Sequence, residues 1–491
     1  MNKQLRRVST VVLLMFLALF CSSTIIQVFS VDQLNNDPRN TRALDDSYSA
    51  QRGPILDANG GVIAQSVPSN DAYKYQRVYN NAALYSAVTG YYTLNQENTG
   101  IEGAMNSYLS GTANDQFLTN ISSIFTGQKP KGAAVETTID PVVQQAASDA
   151  LGNNIGAVIA MNPKTGAILA LVSKPSYDPN TLAVHSTSKF FTAYNALIKS
   201  PQKPLVNRAT AGDLYHPGSV FKIVTASAAL DSSKFTTDST FANPARLQLP
   251  GTNTFIHNSS GTTCGAGATA TIGVAIQFSC NIPIAQAAQQ LGESTMLDYA
   301  KRFGFGHRFV LAGSGASAMS ATPSIYPAEQ NIPQLMMSGF GQYEDRVTPL
   351  QIALDSAAVA NGGIEMQPTL IKKVINPDLS ELDALNPTVY NTPISAATAA
   401  AVRDMMISSV ANGAASNARI EGVQVAGKTG TAQNGKSDPY TLWFTGFAPA
   451  NDPSVVVAVV LENGGGHGQD AVGNQIAAPI GKKVLEAVLN K

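Results

Sequence analysis

The chain opens on an unbroken apolar block. Residues 8–31 contain no charged side chain, more than the roughly 20 residues a helix needs to cross a hydrocarbon layer. Lys3, Arg6 and Arg7 precede the block, whereas Asp32 and Asp37 follow it. That asymmetry predicts a cytoplasmic tail over 1–7, a retained single-pass membrane anchor over 8–31, and the rest of the chain outside the cytoplasm. A cleaved signal peptide is the competing reading, but apolar character continues through Ile25, Ile26, Val28 and Phe29, past the usual cleavage point. A lipoprotein is disfavoured because bulky Phe20 precedes Cys21.

After the anchor the pattern turns to short apolar runs with polar punctuation. Residues 52–63 read as strand, turn, strand, with Asp57-Ala58-Asn59-Gly60 supplying the turn. Residues 127–132 have linker composition, so a smaller region is expected over 32–135 and a larger one over 136–491. Asp140-Pro141 predicts the start of a helix running to Leu151. Apolar runs at 156–161 and 167–172, joined by Asn162-Pro163-Lys164-Thr165-Gly166, predict a hairpin. An Ala-rich helical stretch fills the middle. Strand-like runs follow at 423–433, 442–448 and 454–461, and a helical pattern over 475–489 closes the chain. The fold class is therefore α+β: an antiparallel five-stranded sheet made from the hairpin and a three-strand meander, covered by helices.

Composition narrows the function. Charged residues make up 13% and the formal net charge is -1, so a nucleic-acid partner, which wants a basic excess, is excluded. The five histidines show no ligand spacing, and Gly464-Gly465-Gly466-His467-Gly468 lacks the Lys-Ser/Thr of a phosphate loop. No metal or cofactor is expected. Cys264 and Cys280 lie sixteen residues apart. They form either a disulfide in an exported domain or two separate buried thiols, and a Cα distance decides between these.

Nucleophile chemistry has a sharper signal. The triplets S-x-x-K, S-x-N and K-T-G together mark serine acyl-enzymes, but short patterns recur by chance. S-x-x-K occurs at Ser186, Ser200 and Ser219, and K-T-G at Lys164 and Lys428. Ser200 is followed by Pro201, and Ser186 sits inside a helical pattern with no turn to expose it. Ser219 follows Pro217-Gly218 and opens the run Val220-Phe221-Lys222-Ile223-Val224. A turn feeding a buried helix places Ser219 at its positive end and Lys222 on the same face. Lys164-Thr165-Gly166 is the tip of the hairpin; Lys428-Thr429-Gly430-Thr431 begins the meander. Ser279-Cys280-Asn281 is the single S-x-N match.

In order and context these segments resemble the class B, monofunctional penicillin-binding proteins of the transpeptidase family. The likeness includes 216–222, 428–433, 442–449, 339–342, 347–351, 360–363 and 52–60, and is nearest to the actinobacterial members. It implies the penicillin-binding transpeptidase fold, with 32–135 a non-catalytic, dimerisation- or pedestal-like domain. It also implies a peptidoglycan D,D-transpeptidase that cross-links stem peptides through an acyl-enzyme and is trapped by β-lactams. In the implied roles Ser219 is the nucleophile, Lys222 its base and Ser279 a proton relay, while Asn281 holds Lys222 and the donor backbone. Lys428, Thr429, Gly430 and Thr431 would grip the donor carboxylate, and the backbone N–H groups of Ser219 and Thr431 would form an oxyanion hole. A SEDS-family glycosyltransferase is the implied partner, because 33–132 is too short for a polymerising domain. The rival functions are a D,D-carboxypeptidase or β-lactamase and, less favoured, a membrane β-lactam sensor.

Overall fold

The computed structural model describes residues 3–26, 50–113, 116, 131–259, 261–265 and 267–490. Positions 27–31 of the expected anchor, the flanking Asp32 and Asp37, and positions 127–130 of the expected linker lie outside the described residues. Helix α1 (Lys3–Thr24) contains a 19-residue stretch, Arg6–Thr24, that is long and apolar enough to cross a membrane. Its large apolar side chains from Val8 to Phe20 are exposed.

Strands β1 (Ile55–Leu56) and β2 (Val62–Pro68) pair antiparallel. Their turn is held by Asp57, whose Oδ1 accepts from the N–H groups of Asn59 (2.9 Å) and Gly61 (2.8 Å), the local bonding that makes Asp a turn residue. Strand β3 (Tyr75–Tyr79) extends the sheet, and β4 (Ala134–Thr137) runs parallel to β1. Beneath it, Arg52 Nε and Arg77 Nε each donate to the fully buried Glu102 carboxylate at 2.6 Å, and Tyr79 OH adds a third bond at 3.1 Å. Removing one arginine would leave an underpaired buried charge, a loss of about 3–5 kcal/mol.

The larger region begins with α2 (Pro141–Leu151), capped by Asp140, whose side chain accepts from Val142 N and Val143 N. The hairpin follows as β5 (Gly156–Met161) and β6 (Ile168–Lys174). Next come α3 (Thr187–Lys199), α4 (Lys222–Asp231) and a short hairpin of β7 (Arg246–Gln248) and β8 (Phe255–His257). Helices α5 (Ile282–Leu291), α6 (Ile332–Ser338) and α7 (Pro349–Ala360) follow among others in the middle.

The chain then departs from the expected pattern. Strands β9 (Ile371–Ile375) and β10 (Glu381–Ala384) leave the larger region and join the first sheet, giving the order β10-β9-β4-β1-β2-β3. Val374 pairs with Val135, and Glu136 binds Lys372 (2.8 Å) and Lys373 (3.3 Å). The smaller region is thus completed by strands some 240 positions downstream of the expected junction.

After α8 (Ala396–Asn412) the meander forms as β11 (Ala426–Ala432), β12 (Thr441–Ala448) and β13 (Val455–Leu461), and α9 (Gly473–Leu489) closes the fold. The main sheet has the order β11-β12-β13-β5-β6, antiparallel throughout. Every residue of β5 and β13 is buried. Val455, Val457 and Val459 pack with α2 and α9 on one face, while Val456, Ala458 and Val460 enter the other core with α7. Two buried faces explain why these strands read as continuous apolar runs instead of alternating. Each buried valine contributes about 1.5–3 kcal/mol, which makes this sheet a firm support for its edge strand β11.

Candidate active site

Ser219 lies in a 3-10 turn, Gly218–Phe221, that runs directly into α4. Gly218 has a φ of 54°, and a Cβ there would meet the Ala432 Cβ of β11 at 3.0 Å; glycine is needed on both counts. The segment 339–342, noted above for its likeness alone, supports this turn from behind. Gly218 N donates to Gly341 O (2.8 Å), and a Cβ on Gly341 would stand 2.1 Å from Gly218 O. Thr225 OH donates to Gly339 O at 2.6 Å. His216 is fixed on two sides: Trp443 Nε1 donates to its carbonyl (2.9 Å), and Arg346 Nη1 donates to its Nδ1 (2.7 Å). Arginine only donates, so Nδ1 is the acceptor and the ring is neutral. Burial, with the Arg346 charge, pulls its pKa down to about 4.

Lys222, the first residue of α4, is fully buried. Its Nζ donates to Ser279 O (2.7 Å) and Asn281 Oδ1 (2.7 Å), and lies 3.4 Å from Ser279 Oγ. The two short partners are oxygens that only accept. A neutral amine has two N–H groups to serve them, which leaves its lone pair free to take a proton. Burial, and then the neighbouring Lys428 charge, hold the Lys222 pKa well below the ordinary lysine value. Among the described hydrogen bonds Ser219 Oγ makes none; it shares a helix face with Lys222 but is not bonded to it.

Lys428, a residue of β11, is also fully buried, and burial lowers its pKa to about 7. Its Nζ donates to Ser279 Oγ (2.7 Å) and Thr429 O (2.9 Å). Ser279 has a φ of 61°, a left-handed conformation uncommon for a side-chain-bearing residue and characteristic of functional turns. Thr429 OH donates to Ala414 O (2.9 Å), and Thr431 Oγ1 accepts from Gly473 N (3.2 Å). A Cβ on Gly430 would stand 3.2 Å from Pro217 O, so glycine lets β11 approach the Ser219 turn. Asn281 Nδ2 donates to His257 O (2.8 Å), which aims its Oδ1 at Lys222.

Hydrogen bonds therefore join Lys222, Ser279, Asn281 and Lys428 in one network, with the Ser219 turn and the Thr429, Gly430 and Thr431 stretch of β11 beside it. Cys264 and Cys280 are joined in a disulfide with Cα atoms 5.6 Å apart, the first of the two readings open above. The decoy triplets lie elsewhere. Lys164 pairs with Asp452 at the surface, and Lys203 pairs with Asp213 (2.8 Å). Ser186 does not sit inside a helix: it is the N-cap of α3, its Oγ accepting from Lys189 N. A serine before an apolar periodic run satisfies an orphan N–H better from that position.

The chain is similar to known proteins in sequence and in fold. Residues 156–486 match the family model described as the penicillin binding protein transpeptidase domain, and residues 52–135 match the penicillin binding protein A dimerisation domain. The chain is 38% identical over 499 residues to the peptidoglycan D,D-transpeptidase PbpA of Mycolicibacterium smegmatis, covering 100% of both chains. It is 37% identical over 497 residues to the protein of that name from Mycobacterium tuberculosis, covering 100% of this chain and 99% of the other. The structure of penicillin-binding protein A from M. tuberculosis as its penicillin G acyl-enzyme complex aligns with a TM-score of 0.83 and 35% identity, over 90% of this chain and 100% of that one.

Proposed function

The chain belongs to the penicillin-binding protein transpeptidase family, and from that premise we propose how its own residues carry out peptidoglycan D,D-transpeptidation. It is a serine acyltransferase that cross-links stem peptides ending in D-Ala-D-Ala and is acylated by β-lactams. The observation that carries the reading is the amine of Lys222, buried beside the nucleophile turn with both N–H groups engaged by acceptor-only oxygens.

In the forward step Lys222 takes the proton of Ser219 as Oγ attacks the carbonyl between the two D-alanines. The tetrahedral oxyanion is held by the backbone N–H groups of Ser219 and Thr431. The C–N bond then breaks, and the departing amine collects a proton passed from Lys222 through Ser279 Oγ. The acceptor amine attacks the ester by the reverse path and releases Ser219. Lys428, with Thr429 and Thr431, binds the carboxylate of the departing D-alanine; Ser279 Oγ, bonded to Lys428, links that recognition to the proton path.

The apolar length of α1 and the basic residues in its first turns support a single-pass anchor in the cell membrane, with the catalytic region outside. Strand polymerisation then falls to a partner, a SEDS-family glycosyltransferase. The test of the reading is peptide mapping after reaction with penicillin. The adduct is expected on Ser219 and absent from Ser219→Ala; an adduct that persists in that variant would place the nucleophile elsewhere.

A further inference from the structure

We infer that Asn258 is a positioning residue for the acyl transfer, acting through Asn281 on Lys222; this rests on the transpeptidase reading above. Asn258 lies outside every motif, just after β8, and is 3% exposed. Its Oδ1 accepts from Asn281 N (3.1 Å) and from Ile282 N (3.1 Å). These are donors at the start of α5, where N–H groups have no partner within the helix and Asn281 does not cap through its own side chain. Asn258 thus caps α5 from another part of the chain and fixes the backbone of a site residue in doing so.

Its neighbours hold the same loop. His257 O accepts from Asn281 Nδ2 (2.8 Å), and Ser259 OH donates to Ser279 O (3.1 Å), the carbonyl that also receives Lys222. Three consecutive residues therefore bind the Ser279–Asn281 turn by a carbonyl, an amide and a hydroxyl. The orientation of the Asn258 amide is itself determined. Among the described residues its Nδ2 faces three acceptors: Asn243 Oδ1 (3.2 Å), Pro244 O (3.2 Å) and Thr262 O (3.3 Å). Asn243, fully buried, donates to Cys264 O (2.5 Å) and Gly267 O (3.0 Å) and accepts from Cys264 N (3.2 Å). The amide pair ties the Cys264 segment to the catalytic loop independently of the disulfide.

The consequence is geometric. Asn281 Oδ1 takes one of the two N–H groups of neutral Lys222. If Asn281 moves, that N–H loses its acceptor and the lone pair turns away from Ser219 and Ser279. Misplacement by about an ångström at a reacting group can cost about 100-fold in rate.

The experiment is a double-mutant cycle on the full chain, read as the second-order rate of acylation by a fluorescent penicillin. Labelling of the unmutated protein at Ser219 is the control for the transpeptidase reading; its absence would sink that reading rather than this one. Asn258→Ala is expected to acylate about 100-fold more slowly. In an Asn281→Ala background the same substitution should change the rate by less than about twofold, because two residues acting through one contact are non-additive. A rate for Asn258→Ala within about twofold of the unmutated protein, or an equal loss in both backgrounds, would overturn the proposal. If Asn258→Ala does not fold, Asn258→Asp replaces it. That variant keeps the size and the acceptor for the two N–H groups but sets an oxygen against three acceptors. It should acylate slowly, again without further loss beside Asn281→Ala; an unimpaired rate overturns the proposal in this arm too.

Discussion

Lys428 Nζ donates to Ser279 Oγ at 2.7 Å, and the same oxygen lies 3.4 Å from Lys222 Nζ. One serine hydroxyl thus stands between two buried lysines that the proposed mechanism asks to carry different charges. Lys222 must be neutral to accept a proton, while Lys428 must be cationic to bind a carboxylate. Burial lowers both, and the charge of Lys428 lowers Lys222 further.

A pH profile follows. Acylation should rise with pH as Lys222 loses its proton and fall again as Lys428 loses its own, with the alkaline limb of the free enzyme near 7, the value burial gives Lys428. The limbs belong to the coupled pair, not to either residue alone. A rate that only climbs, through the ordinary lysine value of about 10.4, would contradict this assignment. Stability moves in a definite direction as well. A lysine whose folded pKa is lowered is protonated more in the unfolded chain, so stability should increase as pH rises from about 7 toward the ordinary lysine value.

The two K-T-G triplets should separate cleanly. Lys164 is half exposed and its Asp452 partner more so, and such a pair is worth about 1 kcal/mol or less. Lys164→Ala should leave acylation and stability nearly unchanged, whereas Lys428→Ala and Lys222→Ala should each nearly abolish labelling. Comparable losses at Lys164 and Lys428 would show that the triplets had been assigned wrongly.

The disulfide Cys264–Cys280 closes a loop beside Ser279 and Asn281. A non-reduced digest should yield one peptide linked through these cysteines, and reduction should cost about 3 kcal/mol of stability, the chain-entropy value for a loop of this length. Acylation should slow more than stability falls, because residue 280 lies inside the catalytic turn. Two freely alkylated cysteines in protein never exposed to reductant would refute the linkage.

What could be read from the chain, and what could not, divides along physical lines. The hairpin and meander were legible because β5 and β13 are apolar on both faces and bounded by turn residues. The helix at 141 was legible because Asp140 and Pro141 are cap chemistry. Strands β9 and β10 were not: Ile-Lys-Lys-Val-Ile and Glu-Leu-Asp-Ala are short and charged, and they find partners far away in the first sheet. Glu102 was missed because an acidic residue reads as surface until its two arginines are placed beside it. In the active site, spacing alone related only Ser219 to Lys222, and family likeness supplied the other residues. Asn258 and Asn243 carried no signal, since an Asn before Ser-Ser-Gly and an Asn before Pro both look like any loop. Their function depends on burial and on which amide atom faces which partner.

The central claim is that Ser219 passes its acyl group to an amine rather than to water. The most direct measurement is mass spectrometry of the products formed from a defined lipid-linked pentapeptide, polymerised by a glycosyltransferase and supplied to the full-length protein. The account predicts cross-linked peptide dimers, one D-alanine released per cross-link, and loss of both products in Ser219→Ala. Trimmed tetrapeptide with free D-alanine and no dimer would contradict it and mark the protein as a carboxypeptidase.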